Sequence, residues 1–153
     1  MGLYRNACKN LIKSEENPTP SYSINNDDEV WFIIDTDQWG EEIDELRQHT
    51  ENHRNWFVAQ SNPSFEVWLY YHFEQQKPAK AIENWKTFLS ESIKGGFNNS
   101  KHPVHIQQAI TNSEAAFSMT ANEPDISTTE LFLVGKKILP LVKEVIDALL
   151  ENK

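Results

Sequence analysis

Cysteine is nearly absent from this chain: Cys8 is the single one in 153 residues. One thiol excludes an internal disulfide framework and a cysteine-based zinc cage. Set on the apolar side of a helical repeat, it reads as a small buried hydrophobe rather than a nucleophile. Basic residues are sparse as well. Fourteen Lys and Arg face twenty-three Asp and Glu, a formal net charge of −9. A protein that coats nucleic acid needs clustered Lys and Arg to neutralise phosphate, so that class is excluded. Phosphate chemistry through bound cations stays open, because a divalent ion inverts the local field. Long apolar runs are missing, and none approaches the roughly 20 residues of a membrane span. No apolar signal-peptide core precedes the first charge, so a cytoplasmic protein is expected. No P-loop, dinucleotide glycine fingerprint or serine-hydrolase elbow is present.

The length suits a single domain over 1–153, and 39% hydrophobic residues is ordinary for a globular chain. Leu3, Tyr4, Ala7, Cys8, Leu11 and Ile12 repeat at helical spacing and predict an amphipathic helix. ENPTPSYSINNDDE (16–29) reads as an exposed loop. VWFIID (30–35) predicts a strand with both faces apolar, the pattern of a parallel strand covered on both sides. A helix with Ile43 and Leu46 inward follows from Gln38 to His53, and NWFVAQS (55–61) is a second strand. Strand, helix, strand is a βαβ unit. Helices are predicted over 63–76 and over 79–94, the latter with Ile82, Trp85, Phe88, Leu89 and Ile93 on one stripe, stopping at Gly95-Gly96. Another runs from Pro103 to about Phe117. A last one starts at a capping box of Ser127 and Glu130 and runs to about Leu150, with Pro140 as a kink or break. The fold class is α/β: a parallel βαβ core with a helical C-terminal half. Two strands are too few for a sheet buried on both faces; a further strand is either hidden in the pattern or lacking.

VWFIID ends on Asp35-Thr36-Asp37. Side chains of a strand alternate faces, so the two aspartates point the same way, at the carboxyl edge where open parallel sheets bind ligands. Paired carboxylates suit a shared divalent cation, and Mg²⁺ takes one or two of them with water and phosphate oxygens. Helix capping by Asp is the plainer reading of the motif. The second strand ends at the same edge, where SNPSFEVWLYYHFE begins. Asn62 suits an N-cap and Pro63 the first helical position, so the free amides around Ser64 would face the aspartates and receive phosphate. Glu66, one turn in, would complete a metal shell or act as general base; the plainer reading is an acid at a helix N-terminus. Phe65, Trp68, Leu69, His72 and Phe73 share a core face, which makes His72 a hydrogen-bonded core histidine before a site residue.

These three stretches, DTD (35–37), SNPSFEVWLYYHFE (61–74) and PDISTTELFLV (124–134), resemble the RloB-like family, within the wider Toprim group of metal-dependent phosphoryl-transfer domains. The most specific part is Ser61-Asn62-Pro63-x-Phe65-Glu66-x-Trp68 with His72 four residues on. The resemblance implies a Toprim-like parallel sheet, a bound Mg²⁺ or Mn²⁺, and Asp35 and Asp37 as metal ligands with Asn62 and Glu66 in the site. It further implies a nuclease-like role in bacterial antiphage defence and restriction-modification loci, beside an AAA-type ATPase partner, with nucleic acid as substrate. Such domains open on a strand ending in Gly-Glu, whose glutamate is the expected acid or base. Here the sequence starts at the following helix, so the expectation is a shortened chain or a reduced member lacking that strand.

Other constellations are weaker. His49 and His53 lie one helical turn apart without the H-E-x-x-H pattern, and His102 and His105 flank a helix start; both pairs read as exposed polar surface. WFIIDTD also resembles the haloacid dehalogenase phosphatase motif, but Gln38-Trp39 follows it and no later acidic pair closes such a site. Two functions therefore stand against each other. One is a metal-dependent phosphodiester-cleaving subunit using Asp35, Asp37 and Glu66. The other is a non-catalytic subunit docking on the ATPase, with the open sheet edge also available for homo-oligomerisation.

Overall fold

The structure, a computed structural model, describes residues 25–39 and 42–151. The helix expected over 3–12, Cys8 within it, and the first part of the 16–29 loop lie outside the described residues. In chain order the elements are β1 (Val30–Asp35), α1 (Thr36–Trp39), α2 (Glu42–Glu51), β2 (Trp56–Asn62), α3 (Glu66–Tyr70), α4 (Trp85–Ser92), a 3-10 turn (His102–His105), α5 (Ile106–Ala116), β3 (Met119–Thr120), β4 (Glu123–Pro124), β5 (Thr128–Thr129) and α6 (Leu131–Glu151).

β1 and β2 pair in parallel, in register from Val30–Trp56 to Asp35–Ser61. The expected βαβ unit is therefore present. Alternation along the strands builds two cores. Phe32 and Ile34 join Trp56, Val58 and the inward Ile43 and Leu46 of α2. On another side, Ala59 meets Trp68, Ala109, Ile110, Leu131 and Phe132, with Trp31 packed alongside. Cover on both faces is incomplete, contrary to expectation: Ile33 is 48% exposed.

The strand hidden in the sequence is β5, which pairs antiparallel with β2 through Ser61–Thr129 and Asn62–Thr128. The sheet, ordered β1-β2-β5, is thus mixed rather than purely parallel. The capping box expected at 127–130 does not form. Ser127 sits at φ +62, the first amide of α6, Leu131 N–H, donates to Thr129 Oγ1 at 3.1 Å, and Glu130 turns inward to an arginine. Ahead of β5, β3 and β4 form a small antiparallel hairpin. Its turn holds Ala121 and Asn122 at positive φ.

The helix expected over 63–76 shrinks to α3. Asn62 still belongs to β2: its amide donates to Pro124 O at 2.7 Å, and its carbonyl accepts from Ser127 N–H at 2.8 Å. Phe65, not Asn62, precedes the helix, without a side-chain cap. At the other end Tyr71 buries its ring and donates its hydroxyl to Ser127 O at 2.8 Å, which turns the chain away. The helix expected from Ala79 begins at Trp85, because Asn84 Oδ1 accepts from Thr87 N–H at 3.0 Å and caps it there. Trp85, Leu89 and Ile93 then bury against Val67, Tyr70 and Tyr71 in a third core. α6 continues through Pro140 to Glu151. Gly135 allows its close approach to α5: a Cβ there would lie 2.7 Å from Ile110 Cγ1 and 3.1 Å from the Trp68 ring.

Candidate functional site

Parallel pairing of β1 with β2 delivers both carboxyl ends to one edge, where Asp35 stands opposite Ser61. Past Asp35 the chain turns into α1, so Asp37 is a first-turn helical residue rather than a continuation of the strand. Its amide donates to Pro63 O at 3.3 Å, which ties the DTD turn to the segment leaving β2. Glu66 opens α3 from the same segment. Asp35 is half-buried and Asp37 exposed.

Asp35 feels the charges of both other acids. The Asp35 carboxyl is pushed up from 3.8 to about 6, first by burial, then by the charge of Asp37 and of Glu66. The Phe65 backbone N–H draws it down, and Lys86 does so more weakly. Like charges that close disfavour ionisation until a cation enters. Among the described residues, however, no three His, Cys, Asp or Glu side chains stand near enough to hold a metal ion. The donors fit a hard cation that keeps most of its water, as Mg²⁺ does with one or two carboxylates, and not an all-protein cage.

The remaining expected residues part company. Asn62 is committed to β4 through Pro124 and Glu123 and does not cap α3. Ser64 is half-buried between β2 and α3, its carbonyl accepting from Val67 N–H at 3.1 Å. His72 is buried beyond the far end of α3, its Nδ1 3.1 Å from Trp68 O and its ring edge-on to Trp68 and Phe97. Burial pushes it down to about 4, with His105 and His102 adding to the shift, so it is neutral at pH 7. The surface readings of the other histidines need correction. His53 stacks on Trp56 with centroids 4.2 Å apart, and His102 and His105 lie against Phe73. Phe65 and Phe73, expected in the core, are about two-fifths exposed.

Beneath the acids lies a polar network. Glu130 and Gln60 are buried. Arg47 Nη2 donates to Glu130 Oε2 at 2.5 Å and to Gln60 Oε1 at 2.9 Å, and Glu130 Oε2 also accepts from Gln60 N–H at 3.0 Å. Gln60 Nε2 donates to Thr36 Oγ1 at 2.8 Å, and Thr36 Oγ1 donates to Ser61 O at 3.0 Å. Ser61 and Thr129 share a hydroxyl hydrogen bond of 2.7 Å. The residue between the two aspartates is thereby fixed to α2, β2 and the start of α6. Sequence reasoning missed Arg47, Gln60 and Glu130 in this role. The available signal was a glutamine inside the apolar run NWFVAQS and an acid directly before an apolar helix.

Fold and site together define a mixed α/β protein with carboxylates gathered at the C-terminal edge of its parallel strands. A family model described as RloB-like protein matches residues 3–138, and the chain belongs to that family. No curated protein and no solved structure matches it.

Proposed function

We propose that this RloB-like chain is a metal-dependent phosphodiester-cleaving, nuclease-like subunit of a bacterial antiphage defence system. In this reading the sheet is Toprim-like and an AAA-type ATPase of the same locus is the partner. Membership of the family supports it, and the observation that carries it is the half-buried Asp35 at the carboxyl edge of the parallel pair, with Asp37 and Glu66 opening the helices beside it and its carboxyl pushed up to about 6 by burial and then by their charges.

Asp35 and Asp37 would hold Mg²⁺ or Mn²⁺ with water filling the rest of its shell; Glu66, which forms no three-acid metal group with them among the described residues, is left the part of general base rather than that of third ligand. Bound there, the ion would supply positive charge to the phosphate and acidify a bound water. The protein's own groups do the rest. Gln60 and Thr36 hold the DTD turn against β2, and the Phe65 amide orients Asp35. Glu66, at the rim, takes the proton of the attacking water. Ser64 is the phosphate contact left to this site, since the Asn62 amide is engaged elsewhere.

Thermal unfolding with increasing Mn²⁺ tests the reading. At a thousandfold excess over Kd a native-state ligand adds about 4 kcal/mol, which Asp35→Asn/Asp37→Asn should abolish. Equal shifts in wild type and variant would sink it. Cleavage of phage DNA or RNA should then fall about 100- to 10,000-fold in Glu66→Gln.

A second reading has its own observation. β1 is an edge strand among the described residues, and Ile33 on it is 48% exposed. A non-catalytic subunit would dock on the ATPase through that edge. In that case Ile33→Glu loses the partner while Asp35→Asn/Asp37→Asn keeps it.

A further inference from the structure

Arg47 stands on α2, and its guanidinium turns into the protein rather than toward the carboxylate edge. The side chain is 19% exposed and pairs with Glu130 at 2.5 Å. An ion pair buried this far is weak evidence for stability, because desolvating two charges cancels most of their attraction. This one also leaves Arg47 Nε buried with no partner among the described residues. Stability alone does not account for it. The hydrogen bonds that lead away from the pair point to a second use.

A guanidinium has donors and no acceptor. Arg47 Nη2, 2.9 Å from Gln60 Oε1, therefore fixes which end of the fully buried Gln60 amide faces it. The other end, Nε2, can only donate, and it does so to Thr36 Oγ1 at 2.8 Å. Thr36 then has one hydroxyl proton to place, and it goes to Ser61 O at 3.0 Å. Each donor and acceptor along this line follows from the cation at its start. Ser61 lies opposite Asp35 in the last rung of the β1–β2 ladder, so Thr36 clamps the chain where the ladder ends, between the two aspartates. We infer that Arg47 is a positioning residue for the carboxylate edge: through Gln60 and Thr36 it holds the Asp35–Asp37 turn ready for a cation, touching neither cation nor substrate itself. Its effect on metal binding rests on the metal reading proposed above; its effect on the turn rests on the hydrogen bonds alone. Because Glu130 matches its charge, what Arg47 passes on is hydrogen-bond direction rather than a field.

Two variants of the full chain interrupt the line without stranding a buried charge. Thr36→Val keeps the shape of the side chain and removes the hydroxyl. Arg47→Met/Glu130→Gln removes both charges and leaves an acceptor for Gln60 N–H. Mn²⁺ affinity is read from the electron paramagnetic resonance of the free ion. Both variants should bind Mn²⁺ about 10- to 100-fold more weakly than wild type, the range for outer-shell partners of a metal site, and Thr36→Ser should bind as wild type does. In cation-free buffer, amide hydrogen exchange should quicken at Asp37, whose N–H donates to Pro63 O, and stay unchanged along α5. Ile93→Ala, a cavity in the third core, controls for lost stability and should keep the wild-type affinity. If the paired variant does not fold, Gln60→Met replaces it, severing Arg47 from Thr36 with the ion pair intact. Wild-type Mn²⁺ affinity in any of the interrupted variants overturns the assignment, as does an equal loss in Ile93→Ala. A wild type that takes up no Mn²⁺ sinks the metal reading instead, and the role of Arg47 then stands or falls on the exchange at Asp37.

Discussion

Glu130 and Asp35 are both carboxylates set near the end of a strand, and the protein treats them in opposite ways. Glu130 is buried deeper, yet Arg47 grips it and the Gln60 amide donates to it. Asp35 is half-buried, and the charges of two more acids outweigh that of Lys86 upon it. One arrangement is complete within the chain; the other sets like charges against one another. A buried charge is tolerable when its partners are supplied by the fold. A half-buried acid beside other acids is instead disfavoured in its charged form.

The largest break in this contrast comes from Glu130→Ala, which leaves the part-buried Arg47 with Gln60 alone and Gln60 N–H without its acceptor. A loss of about 3–5 kcal/mol is expected in urea unfolding; a loss below about 1 kcal/mol would mean the network does not hold the strands. His72 comes next. Its folded value of about 4 lies below its ordinary 6.5, so the native state binds fewer protons between those values. The stability is present at neutral pH and is lost as pH falls from about 6.5 through 4, by about 3 kcal/mol. His72→Phe should flatten that limb of the pH profile.

Asp35 sharpens the comparison with a smaller effect of opposite sign. Its folded value of about 6 lies above its ordinary 3.8, so its contribution is present below 3.8 and lost as pH rises through 6. Because it is half-exposed, the expected amount after screening is about 1 kcal/mol. In cation-free buffer Asp35→Asn should therefore raise stability at pH 7 by about that much, measured by urea unfolding. A destabilised variant would mean the acids already have a partner. The two pH effects oppose each other between about 4 and 6, which single variants at each position separate.

Periodicity made the βαβ unit legible, because Phe32, Ile34, Ile43, Leu46 and Val58 each occupy the spacing of the element they serve. Asp35 was readable as the end of a strand, but Thr36 and Asp37 turn into a helix instead of continuing it; Glu66 was placed near the same edge by counting along NWFVAQSNPSFE. The helix over 63–76 was misjudged because Asn62 had two candidate partners. Local capping of the next turn lost to Pro124, sixty-two residues away. Ser127 and Glu130 failed for the same reason: their short-range capping pattern yielded to Asn62 O, which accepts from the Ser127 amide, and to Arg47.

By itself the sequence determined the strands and the main helix of the βαβ unit, that an acid ends the first strand, and that the chain is short of positive charge. Those properties follow from side-chain spacing and composition, which are local. Tertiary structure alone decided that β5 joins the sheet, that Arg47 answers Glu130, and that Asp37 and Glu66 press on Asp35. Hydrogen bonds and charges act across space rather than along the chain, and Arg47 and Glu130 lie 83 residues apart.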